Sequence, residues 1–152
     1  MKRMPAVKLM MTPFPYSIEI DASLTAAQAM MEEHDIHHLP VSAAGRLVGI
    51  VSKHDIETTL ASEGNGETPE SLTVKSCCVS RIYVIGLAEP LDAVLHEMAE
   101  RHIGSALVVK GEKLAGIFTA TDAFRGFAQL LRTHYTPSPN DDDDGGDDDQ
   151  AA

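Results

Sequence analysis

Two short stretches of this chain place a hydroxyl and a carboxylate three residues apart, Ser52-Lys53-His54-Asp55 and Thr119-Ala120-Thr121-Asp122. Each follows an apolar run, Gly49-Ile50-Val51 in one case and Gly116-Ile117-Phe118 in the other, so each stands where a strand hands over to a helix. Two kinds of chemistry suit that placement. The spacing is that of a capping box, in which hydroxyl and carboxylate satisfy the free N–H groups of the first helical turn. A carboxylate with two acceptor oxygens also suits a vicinal diol, and a helix N-terminus favours an anion. A single copy argues for capping alone. Two copies at equivalent positions move the balance toward a bound ligand, and the two roles coexist.

Basic residues gather around the first motif. His37 and His38 precede its strand, and Lys53 and His54 add positive charge at the helix start. A histidine beside a phosphate tends to protonate below about pH 7. The second motif has Gly104, Ser105, Ala120 and Thr121 at those places, with Arg125 a turn later, so its site is expected to be neutral, phosphate-free or unoccupied. His34-x-x-His37-His38, with His54, His96 and His102 elsewhere, is a faint zinc or nickel pattern. It lacks spaced cysteines and an acidic ligand pattern, which leaves polar surface histidines as the plainer reading and no metal expected. No Ser/His/Asp constellation, phosphate-binding G-x-x-x-x-G-K-[ST] loop or H-E-x-x-H helix is present, so the chain is not expected to be an enzyme.

The two motifs are 67 residues apart, and so is much else. Val7 pairs with Val74, Lys8 with Lys75, Tyr16 with Tyr83, Leu24 with Leu91, Met31 with Met98, and Gly49 with Gly116, without a gap. The chain is a duplication, and two copies predict a pseudo-symmetric pair with a shared interface rather than a solenoid. Within each copy, residues 17–20 and 84–87 read as short strands, each followed by a helix. Asp21 or Ser23 caps the first helix, with Leu24, Ala27, Met31 and His34 on one face; Glu89-Pro90 opens the second, with Leu91, Val94, Leu95 and Met98. Two apolar runs around a glycine-bearing turn then predict a hairpin in each copy, at 39–51 and 106–118. Helices from Ser52 to about Leu60 and from Thr119 to about Leu131 follow. The fold class is therefore α+β, two tandem β-α-β-β-α repeats related by pseudo-two-fold symmetry.

Boundaries follow from composition: repeat 1 at 5–62, a linker at 63–73, repeat 2 at 74–132, and at 133–152 a tail expected to be disordered and acidic. The tail carries aspartates at 141–144 and 147–149, so most of the formal net charge of -11 sits there. The remaining domain is mildly acidic with no Lys/Arg stripe, which argues against nucleic-acid binding. No apolar run is long enough to cross a bilayer, and no apolar segment follows Met1-Lys2-Arg3-Met4-Pro5, so no membrane association and a cytoplasmic location are expected. Cys77 and Cys78 are adjacent, stand at the positions of Met10 and Met11, and read as small apolar core side chains rather than a redox pair.

With Ile36-His37-His38-Leu39-Pro40-Val41, residues 45–55, and their partners at 103–108 and 114–122, the chain resembles the CBS domain pair, or Bateman module, over residues 7–131. Residues 7–12 resemble that family's opening segment, and 74–79 are a weaker copy. Repeat 1 is also similar to the CBS region of bacterial acetoin-utilisation proteins. The resemblance implies a regulatory module binding AMP, ADP, ATP or S-adenosylmethionine in clefts between the repeats, in a homodimer that signals to a regulated protein by conformational change. It also implies roles for residues. Asp55 and Asp122 would hold ribose hydroxyls, and Ser52, Lys53, His54, His37, His38, Thr119 and Thr121 would lie toward phosphate. The alternative is a constitutive dimeric scaffold with degenerate clefts, recruiting its partner through the dimer surface or the acidic tail.

Overall fold

Valine, leucine and isoleucine crowd residues 39–51 and 106–118, and both stretches fold as antiparallel hairpins. The computed structural model describes residues 1–13, 15–62 and 71–136. Most of the stretch read as a linker, and the tail from residue 137, lie outside the described residues. A 3-10 turn at Val7–Leu9 and strand β1 (Thr12–Pro13) precede β2 (Ile18–Glu19), α1 (Leu24–His34), β3 (His38–Ala43), β4 (Arg46–Ser52) and α2 (Lys53–Ser62). A second 3-10 turn at Val74–Ser76 then leads to β5 (Val84–Gly86), α3 (Leu91–Glu100), β6 (Ser105–Lys110), β7 (Lys113–Thr119) and α4 (Ala120–His134). Each copy is β-α-β-β-α, and the architecture is two such repeats related by pseudo-two-fold symmetry. Helix α4 runs two residues past position 132.

The copies match in detail. In each, the first strand pairs parallel with the second across a crossover helix, and the hairpin shifts register at one place, Val41/Ser42 or Val108/Val109. Ser23 caps α1, its Oγ accepting from the Ala26 N–H at 3.0 Å. The buried stripe of α1 is Leu24, Ala27 and Met31, the spacing that helical periodicity requires. In α3 it is Val94 and Met98. Leu95 was expected on that stripe and is instead exposed, because it sits one residue, about 100° of helix, from Val94. His34 leaves the stripe as well, stacking on Tyr16 with ring centroids 3.7 Å apart. The first hairpin turns through Ala44 and Gly45 at φ 50° and 78°, the left-handed pair of a type I′ turn.

The leading segment of each repeat is built into the other. Val7 is fully buried in the core formed by Ile85, Val94, Met98 and Phe118 of repeat 2. Val74 and Leu72 are buried with Leu24, Met31, Leu39 and Val51 of repeat 1. Strand β1 pairs with β7, Thr12 opposite Ile117, and Val79 makes the equivalent bridge to Ile50. The Ile50 and Val79 backbones exchange two hydrogen bonds, at 3.0 and 2.9 Å. This reciprocal exchange explains the repeated glycines. A β-carbon on Gly116 would stand 2.9 Å from the Thr12 carbonyl oxygen and against the Met11 sulfur; on Gly49 it would stand 2.7 Å from the Val79 carbonyl oxygen and against the Cys78 sulfur. Only glycine lets the exchanged segment lie flat on the hairpin. One turn into α4, Gly126 faces the tip of Met10. The equivalent pair in the other copy is Thr59 and Cys77, near enough for Thr59 to act on the thiol. A large residue over a small one has become a small residue over a larger one.

Two outcomes follow for stability. Gly116→Ala should lower it by about 1–3 kcal/mol, the usual cost of overpacking against fixed backbone. Gly126→Ala should be neutral or stabilising by up to about 1 kcal/mol, because Met10 can swing its terminal methyl away and a helix-interior glycine is relieved. Urea unfolding of both variants checks the contrast. Independently, Ala44→Asn should raise stability by roughly 0.5–1 kcal/mol by installing the favoured Asn-Gly pair at a left-handed position, read as a higher thermal midpoint.

Candidate functional site

The exchange leaves a cleft of about 410 Å³ between the repeats, within the range of small-molecule sites. Repeat 1 supplies one wall: His38 from the start of β3, Ile50 and Ser52 from β4, and His54 and Asp55 from the first turn of α2. The facing wall is repeat 2, with Arg81, Ile82 and Tyr83 on the approach to β5 and residues 102–105 on the approach to β6. Ile50, Val79, Ile82, Ile103 and Leu107 give it apolar flanks, and the polar groups converge from both copies.

At the end of β4 the Asp55 carboxylate folds back on the strand. Its Oδ2 accepts from the Ser52 N–H at 3.2 Å, and the Ser52 Oγ accepts from the Asp55 N–H at 3.0 Å. In the second copy Asp122 Oδ2 accepts from the Thr119 N–H at 2.9 Å and from the Thr119 hydroxyl at 3.1 Å, while Thr119 Oγ1 accepts from the Asp122 N–H at 3.3 Å. Both motifs are capping boxes. In both, Oδ1 has no hydrogen-bond donor among the described residues, so each carboxylate keeps a free face. Asp55 lines the cleft; Asp122 is half-buried and does not line it.

The basic residues read around the first motif divide. His38 and His54 line the inter-repeat cleft with Ser52 and Asp55. His37 and Lys53 instead line a hollow of about 470 Å³ between α1 and α2, together with Glu32, Asp35 and Glu57. Three carboxylates against one lysine make that hollow a poor place for an anion, although it is the larger of the two. His37 stands just before β3 and His38 is its first residue, and the two line different hollows. Thr119 is half-buried and Thr121 exposed, and neither borders the 410 Å³ cleft. His34, His37 and His38 thus serve three separate surroundings. Among the described residues no group of three or more His, Cys, Asp or Glu is placed to hold a metal ion.

Burial pushes the His38 imidazole below its ordinary range, helped by neighbouring His37 and opposed by the Asp55 carboxylate. Burial also raises the Tyr83 hydroxyl, as do Glu97 and Glu89, while Arg101 works the other way. Arg101 lies over the Tyr83 ring, 4.9 Å from its centroid, and pairs with Glu97 at 2.6 Å. Tyr16 and His34 occupy the same two repeat positions, so each copy holds its tyrosine under a basic side chain. The Cys77 and Cys78 thiols are held above their ordinary range, chiefly by burial, which keeps them protonated and unreactive.

Arg81, Tyr83 and His102 belong to this cleft and were not singled out from sequence as its residues. The repeated tyrosine at 16 and 83 was the available signal for Tyr83. Arg81 had none, because its counterpart is Phe14 and only the bridge of Val79 to Ile50 brings it here.

Comparison with known proteins gives the family and the fold. The family model of the CBS domain matches residues 7–62 and 74–129. The chain is 30% identical over 123 residues to an L-aspartate semialdehyde sulfurtransferase of Methanocaldococcus jannaschii, covering 80% of this chain but only 23% of that enzyme. Among solved structures, it is similar to the CBS domain pair of protein MJ0100 in complex with 5′-methylthioadenosine and S-adenosyl-L-methionine: 26% identity, TM-score 0.75, covering 84% of this chain and 99% of the other. A putative acetoin utilization protein (AcuB) from Vibrio cholerae gives 26% identity and TM-score 0.74, covering 89% of this chain and all of that one. No helix among the described residues is long and apolar enough to cross a membrane.

Proposed function

The chain belongs to the CBS domain family, and from that membership and the cleft we propose that it is a regulatory module that binds an adenosine derivative between its repeats and signals by conformational change. The observation that carries the reading is Asp55, whose capping role occupies one oxygen and whose other oxygen is free beside a cleft walled by both copies. A carboxylate so placed accepts from the two hydroxyls of a ribose, apolar flanks accept a base, and the N-terminus of α2 with His38 and His54 lies toward phosphate. AMP, ADP and ATP suit this cleft best. S-adenosylmethionine stays a candidate through the MJ0100 pair, which holds it. Because the ligand would touch both repeats, any difference in its affinity for two arrangements of them shifts the balance between those arrangements. The regulated protein and a cytoplasmic setting belong to the same reading, and no catalytic step is assigned.

A homodimer is proposed on a separate observation. Helix α4 has no buried residue, and Phe124, Phe127, Leu130 and Leu131 are exposed along it, Phe124 at 72%. Such a contiguous apolar stripe on a soluble domain marks an association surface. Gln28 and Glu57 share the polar hollow of repeat 1. Their counterparts are Leu95 and Phe124, so the same place in repeat 2 has become apolar.

Two measurements test these readings. Titration calorimetry of AMP, ADP, ATP and S-adenosylmethionine against nucleotide-stripped protein should give binding that Asp55→Asn weakens by roughly 10- to 100-fold, the worth of about 1.5–3 kcal/mol for hydrogen bonds to a charged acceptor. The asparagine keeps an acceptor for the helix cap, and an unchanged melting temperature confirms it; absence of binding by all four ligands favours the scaffold alternative. Light scattering after size exclusion should give twice the chain mass, falling to one chain mass in the Phe124→Glu/Phe127→Glu double variant.

A further inference from the structure

We infer that the Asp55 cleft is a proton-linked anion site, in which His38 takes up a proton as a phosphorylated ligand binds, while Arg81 supplies the fixed positive charge. The inference rests on the reading of this cleft as an adenosine site and goes further, to which chemical class it selects and under which condition. The charge inventory of the lining carries it. Asp55 is the one carboxylate and Arg81 the one permanent cation among the lining residues, so with neutral imidazoles the lining has no formal net charge. A phosphate monoester brings roughly -1.5 to -2 at pH 7, for which a neutral lining offers no net attraction. Protonation of His38 would tip that balance toward an anion within one 410 Å³ cleft.

The groups facing His38 set the direction. His37 lies beside it in the chain, Asp55 and His54 face it from α2, and Arg81, Tyr83 and His102 line the opposite wall. Burial and His37 hold the His38 imidazole neutral in the empty site, with Asp55 opposing. A bound phosphate adds negative charge and raises its pKa. A group whose pKa is raised on binding favours the complex fully below its free-state pKa, and loses that contribution as pH rises through its bound-state pKa. Affinity for a phosphorylated ligand therefore climbs as pH falls below 7. A sulfonium such as S-adenosylmethionine gains nothing from the same proton.

The other copy does not share this chemistry. The positions equivalent to His38, His54, Arg81 and His102 are Ser105, Thr121, Phe14 and Asp35. Proton linkage is thus a property of the Asp55 cleft, set by a few residues that differ between the repeats around a shared aspartate.

The test is calorimetry of ATP and AMP with the full chain at pH 6.0, 6.75 and 7.5, each in two buffers of different ionisation enthalpy. We expect affinity to rise by about tenfold per pH unit for each proton taken up, with a buffer-dependent heat reporting net proton uptake. Ionisation of the ligand's own phosphate is removed by comparison with a His38→Gln variant. The variant should lose the excess uptake, whereas Arg81→Gln should weaken ATP at every pH and keep it. If ATP and AMP bind with the same buffer-independent heat and flat affinity in both proteins, or if S-adenosylmethionine gains equally from acid, proton linkage is overturned and the adenosine site stands. If no adenosine ligand binds at any pH, both fall together. Should the His38→Gln variant melt early, Arg81→Gln and the buffer comparison on the unaltered protein decide the question.

Discussion

Everything in this molecule depends on two short segments crossing between the repeats. Residues 6–13 complete the sheet and core of repeat 2, and residues 72–79 complete those of repeat 1, through Val7, Val74 and the bridges at Thr12 and Val79. Neither half holds a full core without the segment donated by the other. About 60 residues is already a marginal size for an independent domain, and removing a fully buried valine from each half would deepen that deficit. The exchange therefore ties the two copies into one cooperative unit.

The cleft follows from that tie. Val79 is held to Ile50 by two backbone hydrogen bonds, and an extended chain carries Arg81 only two residues, roughly 7 Å, further. That distance is short enough to deliver a repeat 2 side chain to the rim where α2 of repeat 1 begins. Tyr83 arrives by the same route, steadied by Arg101 over its ring. A site assembled this way has no wall belonging to one copy alone, so whatever occupies it is a strut between the two. Asp55 is well suited to the position because the strand end and the helix cap fix it before any ligand arrives, which lowers the ordering cost of binding.

Much of this was legible in the residues. The duplication gave the element order, and the spacing of Leu24, Ala27 and Met31 gave the buried face of α1. The repeated [ST]-x-x-[DE] placed both capping carboxylates at helix starts. What sequence could not convey was the exchange. Val7 and Val74 look alike whether they pack at home or across the interface, since both repeats offer an apolar core at the same place. The fate of adjacent side chains was hidden too. His37 and His38 read as one basic pair, yet the chain enters β3 between them, and one lines the acidic hollow while the other lines the cleft. Leu95 looked like a core residue by type, but the face of its helix is decided by angle, and that angle leaves it exposed.

The two copies have diverged in a manner the exchange makes intelligible. Gly49 and Gly116 sit under an incoming carbonyl and sulfur, where any side chain collides with backbone, so the duplicated positions remain the same residue. Met10 over Gly126 and Cys77 over Thr59 fill the same space with opposite partition of volume, which a packed interface allows because only the sum is constrained. The cleft rims face solvent rather than backbone and carry neither restriction. His38 against Ser105, His54 against Thr121 and His102 against Asp35 are changes that alter charge while leaving the fold intact. A rigid exchanged frame with less constrained surroundings is thus a physical route to two repeats of different electrostatic character: the frame fixes where each capping carboxylate stands, and the residues around it set the charge it meets.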